Sequence, residues 1–385
     1  MRFLKKFIVR YGEIGTKSRT TMHRFEKLLA SGIFKLAKKH GIRADVEIIH
    51  TRLIVDVADE NFEKMKELLK KVPGIVSFSP CTLVEPKIEK IKEVSLELFE
   101  GELSKYENKD KVSFRVKTQR PQKKFPLTSL EVNMAVGGPI VEKHGIKVDL
   151  TNPTISIDVE ILNEYSFVFV ERIDGIGGIP VGTQGKVLVL LSDGIDSPVA
   201  AYMMAKRGCK LVLLHLKTSE EGLEKTKKLY DVLSDFDPEA KFIHIDFTEE
   251  LLRIKNDLTK IEREKYTCLF CKKTMLRTAE RHASYQKCDA IINGDNMGQV
   301  ASQTLKNLRV VSEGTKYPIL RPLIGLDKVE IMNIARKIGT FDISISKEIS
   351  CFAVPKFPIT NTTIEEMEKI EERLKTLHEC NCCKN

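Results

Sequence analysis

One stretch near the middle of the chain restricts the possible fold more than any other. Lys186-Val-Leu-Val-Leu-Leu-Ser192-Asp193-Gly194-Ile195-Asp196-Ser197-Pro198 passes from an aliphatic run, through a glycine-containing turn, into a helix-forming segment. The unbroken apolar residues from Val187 to Leu191 suit a parallel strand buried on both faces. Pro198 predicts the first helical position, with Ser197 as N-cap. Gly194 is expected to permit a sharp turn. Free N–H groups at such a helix start, with the positive end of the helix dipole, attract phosphate oxygens. Ser192 and Ser197 add hydroxyl donors. Asp196 is acidic, so it is assigned to Mg²⁺ or to organising the loop.

The chain has 385 residues, enough for two or three domains. No apolar run approaches the ~18 residues of a membrane-spanning helix, so no membrane partner is expected. The stretch Met1 to Arg10 is too short in apolar residues for a secretory signal and reads as a basic first strand. Nine cysteines, an odd count, predict free thiols in a reducing, cytoplasmic setting. Net charge is +9 and unevenly placed: residues 1–50 carry +8 and residues 101–130 carry +5. The amino-terminal half is thus the basic part, as contact with a nucleic-acid backbone requires. A lysine-rich solvated surface is the plain alternative.

Hydrophobic spacing predicts strands over 3–10, 44–50, 52–57 and 75–84, with helices over 21–39 and 61–71. This is the pattern of a small ferredoxin-like α+β unit. A second unit follows, with helices over 88–103 and 129–143 and strands over 111–117, 147–150, 154–162 and 165–171. Five glycines between Arg172 and Gly185 mark the clearest linker. Beyond it, strands over 187–191, 211–216, 241–247, 289–294 and 318–324 alternate with helices, among them 198–207, 272–286 and 299–308. The pattern predicts an open, mostly parallel α/β sheet. Ligands belong at the carboxyl ends of such strands, where Ser192, His215 and Gly294 fall. The tail from Leu377 to Asn385 is expected to pack poorly.

The phosphate loop is neither a Walker A sequence nor G-x-G-x-x-G. It resembles the PP-loop, S-G-G-x-D-S, of ATP pyrophosphatases, with Asp193 where that family has its first glycine. Other segments extend the resemblance. They are Arg10-Tyr-Gly-Glu-Ile-Gly-Thr-Lys17, Val148 to Pro153 with Val159-Glu160, Gly177 to Thr183, Asn293 to Thr304, Leu320-Arg-Pro-Leu323 with Asp327-Lys328, and Cys351 in Glu348 to Lys356. Together, in this order, they resemble the tRNA 4-thiouridine synthetase (ThiI) family. The resemblance implies a ferredoxin-like domain over 1–60, a THUMP RNA-binding domain over 61–172 and a PP-loop ATP pyrophosphatase domain over 173–385. Many bacterial members carry a further rhodanese domain, and this chain resembles the rhodanese-free, archaeal-type members.

The implied activity is ATP-dependent tRNA sulfurtransfer. A tRNA uridine, position 8 in the family, is adenylated, and its O4 is replaced by sulfur. Some members also supply sulfur for the thiazole of thiamine. The implied ATP contacts are Leu190 and Leu191 beside the loop; Ser192, Gly194 and Ser197 on pyrophosphate, with Mg²⁺ near Asp196; and His215 and Leu216 towards adenine or ribose. Lys272 is implied at phosphate or ribose, Gly294 at a close backbone approach, and Gln303 at a hydrogen bond to the nucleotide. Two rivals share these residues: another PP-loop tRNA thiolase, and a non-catalytic tRNA-binding protein with a degenerate nucleotide site, for which Asp193 is the best argument.

Cys268-Leu-Phe-Cys271 is a C-x₂-C pair, which binds zinc, an iron–sulfur cluster or itself. Cys351 occupies the position of the family's sulfur-transfer cysteine. For the archaeal type the resemblance implies a [4Fe–4S] cluster on Cys268, Cys271 and Cys351, with one iron open to sulfide. Persulfide or disulfide chemistry at the same cysteines is one alternative. A zinc site completed by Cys380, Cys382 and Cys383 is another. The sulfur donor is left between inorganic sulfide and a persulfide carrier, and a homodimer is among the open oligomeric states. Cys81, Cys209 and Cys288 read as core residues.

Overall fold

Arg19–Lys39 forms a long helix because apolar side chains recur along one face: Phe25, Leu29, Ile33, Leu36 and Ala37 are all buried. Ser18 caps it, its hydroxyl accepting from the Thr21 N–H. The structure, a computed structural model, describes residues 4–162, 164–346 and 350–382. In chain order the first elements are β1 (Leu4–Tyr11), α1 (Arg19–Lys39), β2 (Ala44–Ile49), β3 (Arg52–Ala58), α2 (Phe62–Leu69) and β4 (Ile75–Val84). β1 lies between β3 and β4, antiparallel to both, and α1 and α2 supply Leu29, Ile33, Met65 and Leu69 to a core with Phe7, Val55 and Phe78. This is the ferredoxin-like arrangement expected.

α3 (Ile88–Leu103), β5 (Ser113–Gln119), α4 (Ser129–His144), β6 (Lys147–Val148), β7 (Ile155–Leu162), β8 (Tyr165–Phe169) and β9 (Ile173–Asp174) follow. The far end of β4 pairs with β8, so one mixed sheet runs β2-β3-β1-β4-β8-β7-β5-β6, with β9 also on β4. α3 and α4 cover a second core containing Phe99, Phe114, Val136 and Ile157. Glu160 of β7 fastens the two halves. It is buried and accepts from Arg10 Nε at 2.6 Å and Arg52 Nε at 2.9 Å. Arg10 also donates to Ser79 Oγ at 3.1 Å and lies over the Phe169 ring.

Packing moves the expected boundaries. α2 and β4 belong to the same core as Phe7, so a division at 60/61 passes through that core. The start of the glycine-rich stretch is not free either. Ile173 pairs with Phe78, Gly177 O accepts from the Gly74 N–H at 2.8 Å, and a Cβ on Gly175 would collide with Ile75 O. The chain divides into two units between Pro180 and Val181, within the glycine-rich stretch.

The second unit contains β10 (Lys186–Leu190), α5 (Asp196–Lys206), β11 (Lys210–Lys217), α6 (Glu220–Leu233), β12 (Lys241–Asp246), α7 (Thr248–Lys260), α8 (Thr267–Gln286), β13 (Ala290–Ile292), α9 (Leu305–Ser312), β14 (Ile319–Leu320), α10 (Lys328–Ile338), α11 (Phe341–Ile345) and α12 (Ile364–Cys382). Its sheet is parallel throughout, in the order β12-β11-β10-β13-β14. Strand order reverses between β10 and β13, where a crevice opens beyond the strand ends. One expectation fails here. Helix 299–308 begins only at Leu305, because Thr304 caps it by accepting from the Asn307 N–H; Gln303 lies in a short 3₁₀ turn before it. Met367, Ile370, Leu374 and Leu377 of α12 form one apolar stripe against the core, while His378 and Glu379 beyond it are exposed. Among the described residues no helix is long and apolar enough to cross a membrane.

Candidate active site

β10 delivers the chain to the switch point, and α5 starts at Asp196, two residues before the position predicted from Pro198. Ser197 is not the N-cap. Its hydroxyl accepts from the Ser192 N–H at 2.8 Å and lies 2.9 Å from Ser192 Oγ, which closes the loop on itself. Ile195 stands at the cap with no side-chain hydrogen bond, so the first-turn N–H groups of α5 stay available to an anion. Gly194 lies in the bend between β10 and α5, without positive φ. A Cβ at that position would meet only Ser192 Oγ, at 3.6 Å, so its absence keeps space clear above the loop. From behind, Ser344 of α11 donates to Gly194 O at 3.1 Å.

The two loop carboxylates are each met by a lysine. Asp196 accepts from Lys328 Nζ at 2.7 Å and from Gln299 Nε2 at 3.3 Å. Asp193 lies 3.8 Å from Lys225 Nζ, which α6 supplies from a buried position. The departure from the usual glycine therefore brings its own countercharge, which removes the main argument for a degenerate site.

A cavity of about 210 Å³ opens above the loop. Of the residues expected at the nucleotide, Leu190, Ser192, Asp196, Ser197, Lys272, Gly294 and Gln303 line it. Their organiser is Asp295, only 5% exposed, which no sequence argument had singled out. It accepts from Lys272 Nζ at 2.8 Å, Asn293 Nδ2 at 2.7 Å, Gln303 Nε2 at 3.2 Å and Arg321 Nε at 3.2 Å. Burial pushes the Asp295 carboxyl up, but Lys272 and Arg321 outweigh it and hold the group below its ordinary range. Because Asp295 only accepts, the Gln303 amide is fixed with its NH₂ towards it. Gln303 Oε1 is then buried with no partner among the described residues, on a side chain that lines the cavity.

Gly294 lines the cavity and also holds a close approach between backbones. A Cβ there would lie 2.8 Å from Ser197 N and 3.0 Å from the carbonyl carbon of Asp196. Leu191, Gly194, His215 and Leu216 do not line the cavity. Leu191 and Leu216 are core residues. His215 is buried behind the loop, and its Nδ1 donates to Leu191 O at 2.9 Å. Burial holds its pKa below the ordinary value despite that bond and Asp193, and its Nε2 has no partner among the described residues.

Cys268 and Cys271 fall in the first turn of α8, and the next turn supplies Lys272, Met275 and Leu276 to the cavity wall. Burial raises both thiols, that of Cys271 to about 12, and the neighbouring Cys351 raises each further. Cys351 is exposed, and all three are free. Among the described residues no three His, Cys, Asp or Glu side chains converge closely enough to hold a metal ion. The three cysteines are thus neighbours but not an assembled ligand set. Cys383 lies outside the described residues, as do the side chains of Cys380 and Cys382. Cys81, Cys209 and Cys288 are raised mainly by burial, as core thiols are.

A parallel sheet with an uncapped phosphate loop at its switch point, without a Walker lysine, defines a PP-loop nucleotide-binding fold. The comparisons agree over the whole length. The thiamine biosynthesis protein (ThiI) profile matches residues 182–376, the THUMP domain 85–171 and the ThiI ferredoxin-like domain 6–79. A Methanocaldococcus jannaschii protein named "Probable tRNA sulfurtransferase" is 52% identical over 96% of this chain and 97% of its own. A Thermococcus kodakarensis protein of the same name is 42% identical over 94% and 95%. A crystallised 4-thiouridine synthetase–RNA complex with bound ATP superposes with a TM-score of 0.85 at 34% identity, covering 98% of this chain and 97% of that one. The chain belongs to the ThiI family of tRNA sulfurtransferases.

Proposed function

We propose that this chain binds tRNA, adenylates O4 of a uridine, position 8 by family resemblance, and replaces that oxygen with sulfur. The observation that carries the reading is the cavity bounded by the phosphate loop and the Asp295 cluster, in a chain similar end to end to an ATP-bound, RNA-bound 4-thiouridine synthetase. The basic unit before Val181 supplies the RNA contacts in this reading. A supply of sulfur for thiamine thiazole is a second use of the same chemistry.

In the adenylation step, O4 attacks the α-phosphate and pyrophosphate leaves. The N–H groups at the start of α5, with the Ser192 and Ser197 hydroxyls, hold the departing phosphates. Lys272 balances their charge, and Gln303 Oε1 accepts from the nucleoside. Asp196 is one carboxylate beside the phosphates, which suits Mg²⁺, an ion bound by one or two carboxylates plus substrate oxygens. Adenylation turns O4 into part of a good leaving group. A persulfide on Cys351, charged by inorganic sulfide plus an oxidant or by a persulfide carrier, adds its terminal sulfur to C4 and expels AMP. Cys268 or Cys271 then attacks Cys351 Sγ, releasing the thiolated base and leaving a disulfide for a reductant to reopen.

The test combines the full chain, ATP and an unmodified tRNA transcript, and measures pyrophosphate, AMP and the nucleosides of the digested tRNA. Pyrophosphate release should require tRNA and fall at least ~10²-fold in Asp196→Ala if electrostatic positioning has its usual weight. Turnover indifferent to tRNA would favour another adenylating enzyme. Binding of tRNA without pyrophosphate release would leave an RNA-binding protein.

A further inference from the structure

The segment that carries Cys351 shows two aromatic rings to solvent. Between 350 and 363 it forms neither helix nor strand, yet it is tied down along its length. Ala353, 3% exposed, plugs it into the core, and the Val354 N–H donates to Cys351 O at 3.3 Å. Lys255 Nζ donates to Phe352 O at 3.0 Å, Asn307 Nδ2 to Ile359 O at 3.0 Å, and Thr304 Oγ1 to Thr360 O at 2.8 Å. Thr304 directly follows Gln303 of the nucleotide cavity. On this fixed strap Phe352 is 42% exposed and Phe357 75% exposed. The Lys356 ammonium lies 5.5 Å from the Phe357 ring centre.

We propose that Phe352 and Phe357 are positioning residues that form a stacking platform for unpaired bases, with Phe352 taking the uracil whose C4 must meet Cys351. The proposal rests on the reading of tRNA uridine as substrate. A base stacked inside a folded tRNA cannot offer O4 to a phosphate held in a cavity, so it must first leave its neighbours. Aromatic rings offset that cost without demanding a sequence, because every base has a π-face. Phe352 is adjacent in sequence to the thiol that would act on the base. Lys255 and Lys356 flank the rings with charge that complements the phosphates on either side of an extruded nucleotide. A second copy of this chain or a sulfur-carrier protein would have less use for cations beside the rings.

Two measurements on the full-length chain decide. In the first, pyrophosphate release is titrated with tRNA for Phe352→Ala, Phe352→Leu and Phe352→Tyr. Stacking predicts a loss of about ten-fold or more in kcat/KM for tRNA in both Ala and Leu, recovery in Tyr, and unchanged ATP binding in all three. In the second, a tRNA transcript carrying 4-thiouridine at the target position is irradiated in near-ultraviolet light on the wild-type chain. The adduct should map to the peptide containing Phe352. If Leu performs as well as Phe in an active enzyme, the ring has no stacking role and the proposal fails while the functional reading stands. If the wild type releases no pyrophosphate, the functional reading fails, and an adduct absent from the strap then overturns the platform as well. A loss in Phe352→Ala that tracks dissociation of an oligomer would assign the surface to a second copy and overturn the proposal.

Discussion

Lys225 Nζ stands 3.8 Å from Asp193 Oδ2 at the phosphate loop. The sequence offers Asp193 as a defect, an added negative charge where phosphates must bind. The fold pairs it with a lysine 32 positions later, from the first turns of α6. Lys225→Met should therefore weaken ATP binding by about ten-fold, within the range of coupling found for contacting residues. Asp193→Gly should restore most of it in the double variant. Calorimetric titration of ATP into the four proteins of this cycle checks the prediction. Strictly additive effects would mean that the two charges do not meet during binding.

Gly294 predicts a steric effect. An alanine there places its Cβ 2.8 Å from Ser197 N, so β13's exit and the start of α5 must separate. Overpacking of this kind costs about 1–3 kcal/mol, and adenylation should fall with it because the loop N–H groups move. Gly194→Ala is the informative comparison. Its Cβ would make only an ordinary contact, so its melting temperature should hold. A loss of pyrophosphate release there would report occlusion of phosphate space alone.

The contrast between these glycines shows what the sequence could reveal. The strand-turn-helix was legible because aliphatic run, glycine and proline obey local rules. The site's organiser was not. Asp295, Lys272 and Arg321 are separated by at least 23 positions along the chain and converge only when β13, β14 and α8 are assembled. Segments 293–304 and 320–328 carried a resemblance but no assignable role for Asp295, Arg321 or Lys328. Ser197 misled for a related reason. A serine before proline reads as a cap, but here its hydroxyl has a nearer partner in Ser192 N–H. The linker was legible, since the division between the two units falls inside its glycine-rich stretch, but the packing of its first residues against β4 was not, because glycine content alone does not show which residues are packed.

Glu160 should be the weakest point for substitution in the amino-terminal unit. Its two oxygens answer Arg10 and Arg52, and its side chain is 2% exposed. Glu160→Gln leaves buried guanidinium charge without an anion, a change that costs about 3–5 kcal/mol when a buried pair is broken. Urea unfolding followed in the full chain should show the first unit melting earlier, with ATP binding in the second unit retained. An unshifted transition would mean that solvent already screens the cluster.

His215 sets a pH dependence. Burial holds its folded-state pKa below the ordinary value. The unfolded chain takes up a proton near pH ~6.5, while the folded chain does not until lower pH. The unfolded state therefore binds more protons in that window, and stability falls as pH drops from about 6.5 towards the folded pKa. His215→Gln should flatten this part of the stability curve, measured as the urea midpoint of the second unit against pH. An unchanged slope would place the effect in other groups.

The sulfur step separates the three cysteines. Cys351 is exposed, whereas Cys271 is half-buried with its thiol pushed up to about 12. Cys351 should react first with an alkylating agent, because the thiolate is the reactive form and a raised pKa keeps Cys271 protonated. Cys351→Ser should abolish thiolation and spare pyrophosphate release, since sulfur enters only after AMP is attached. Cys268 and Cys271 then discriminate between mechanisms. If a persulfide on Cys351 is the carrier, only the cysteine that resolves the disulfide should matter, and it should matter most after the first turnover. If an iron–sulfur cluster forms in the protein as purified without oxygen, all three serine variants should lose iron and activity together. If zinc is held instead, the metal should be redox-silent and weakened by truncation before Cys380. Anaerobic absorbance with iron, zinc and sulfide analysis of wild type and the three variants, beside the thiolation assay, reads every arm. A colourless, iron-free wild type that thiolates tRNA would leave the Cys351 persulfide as the chemistry of this site.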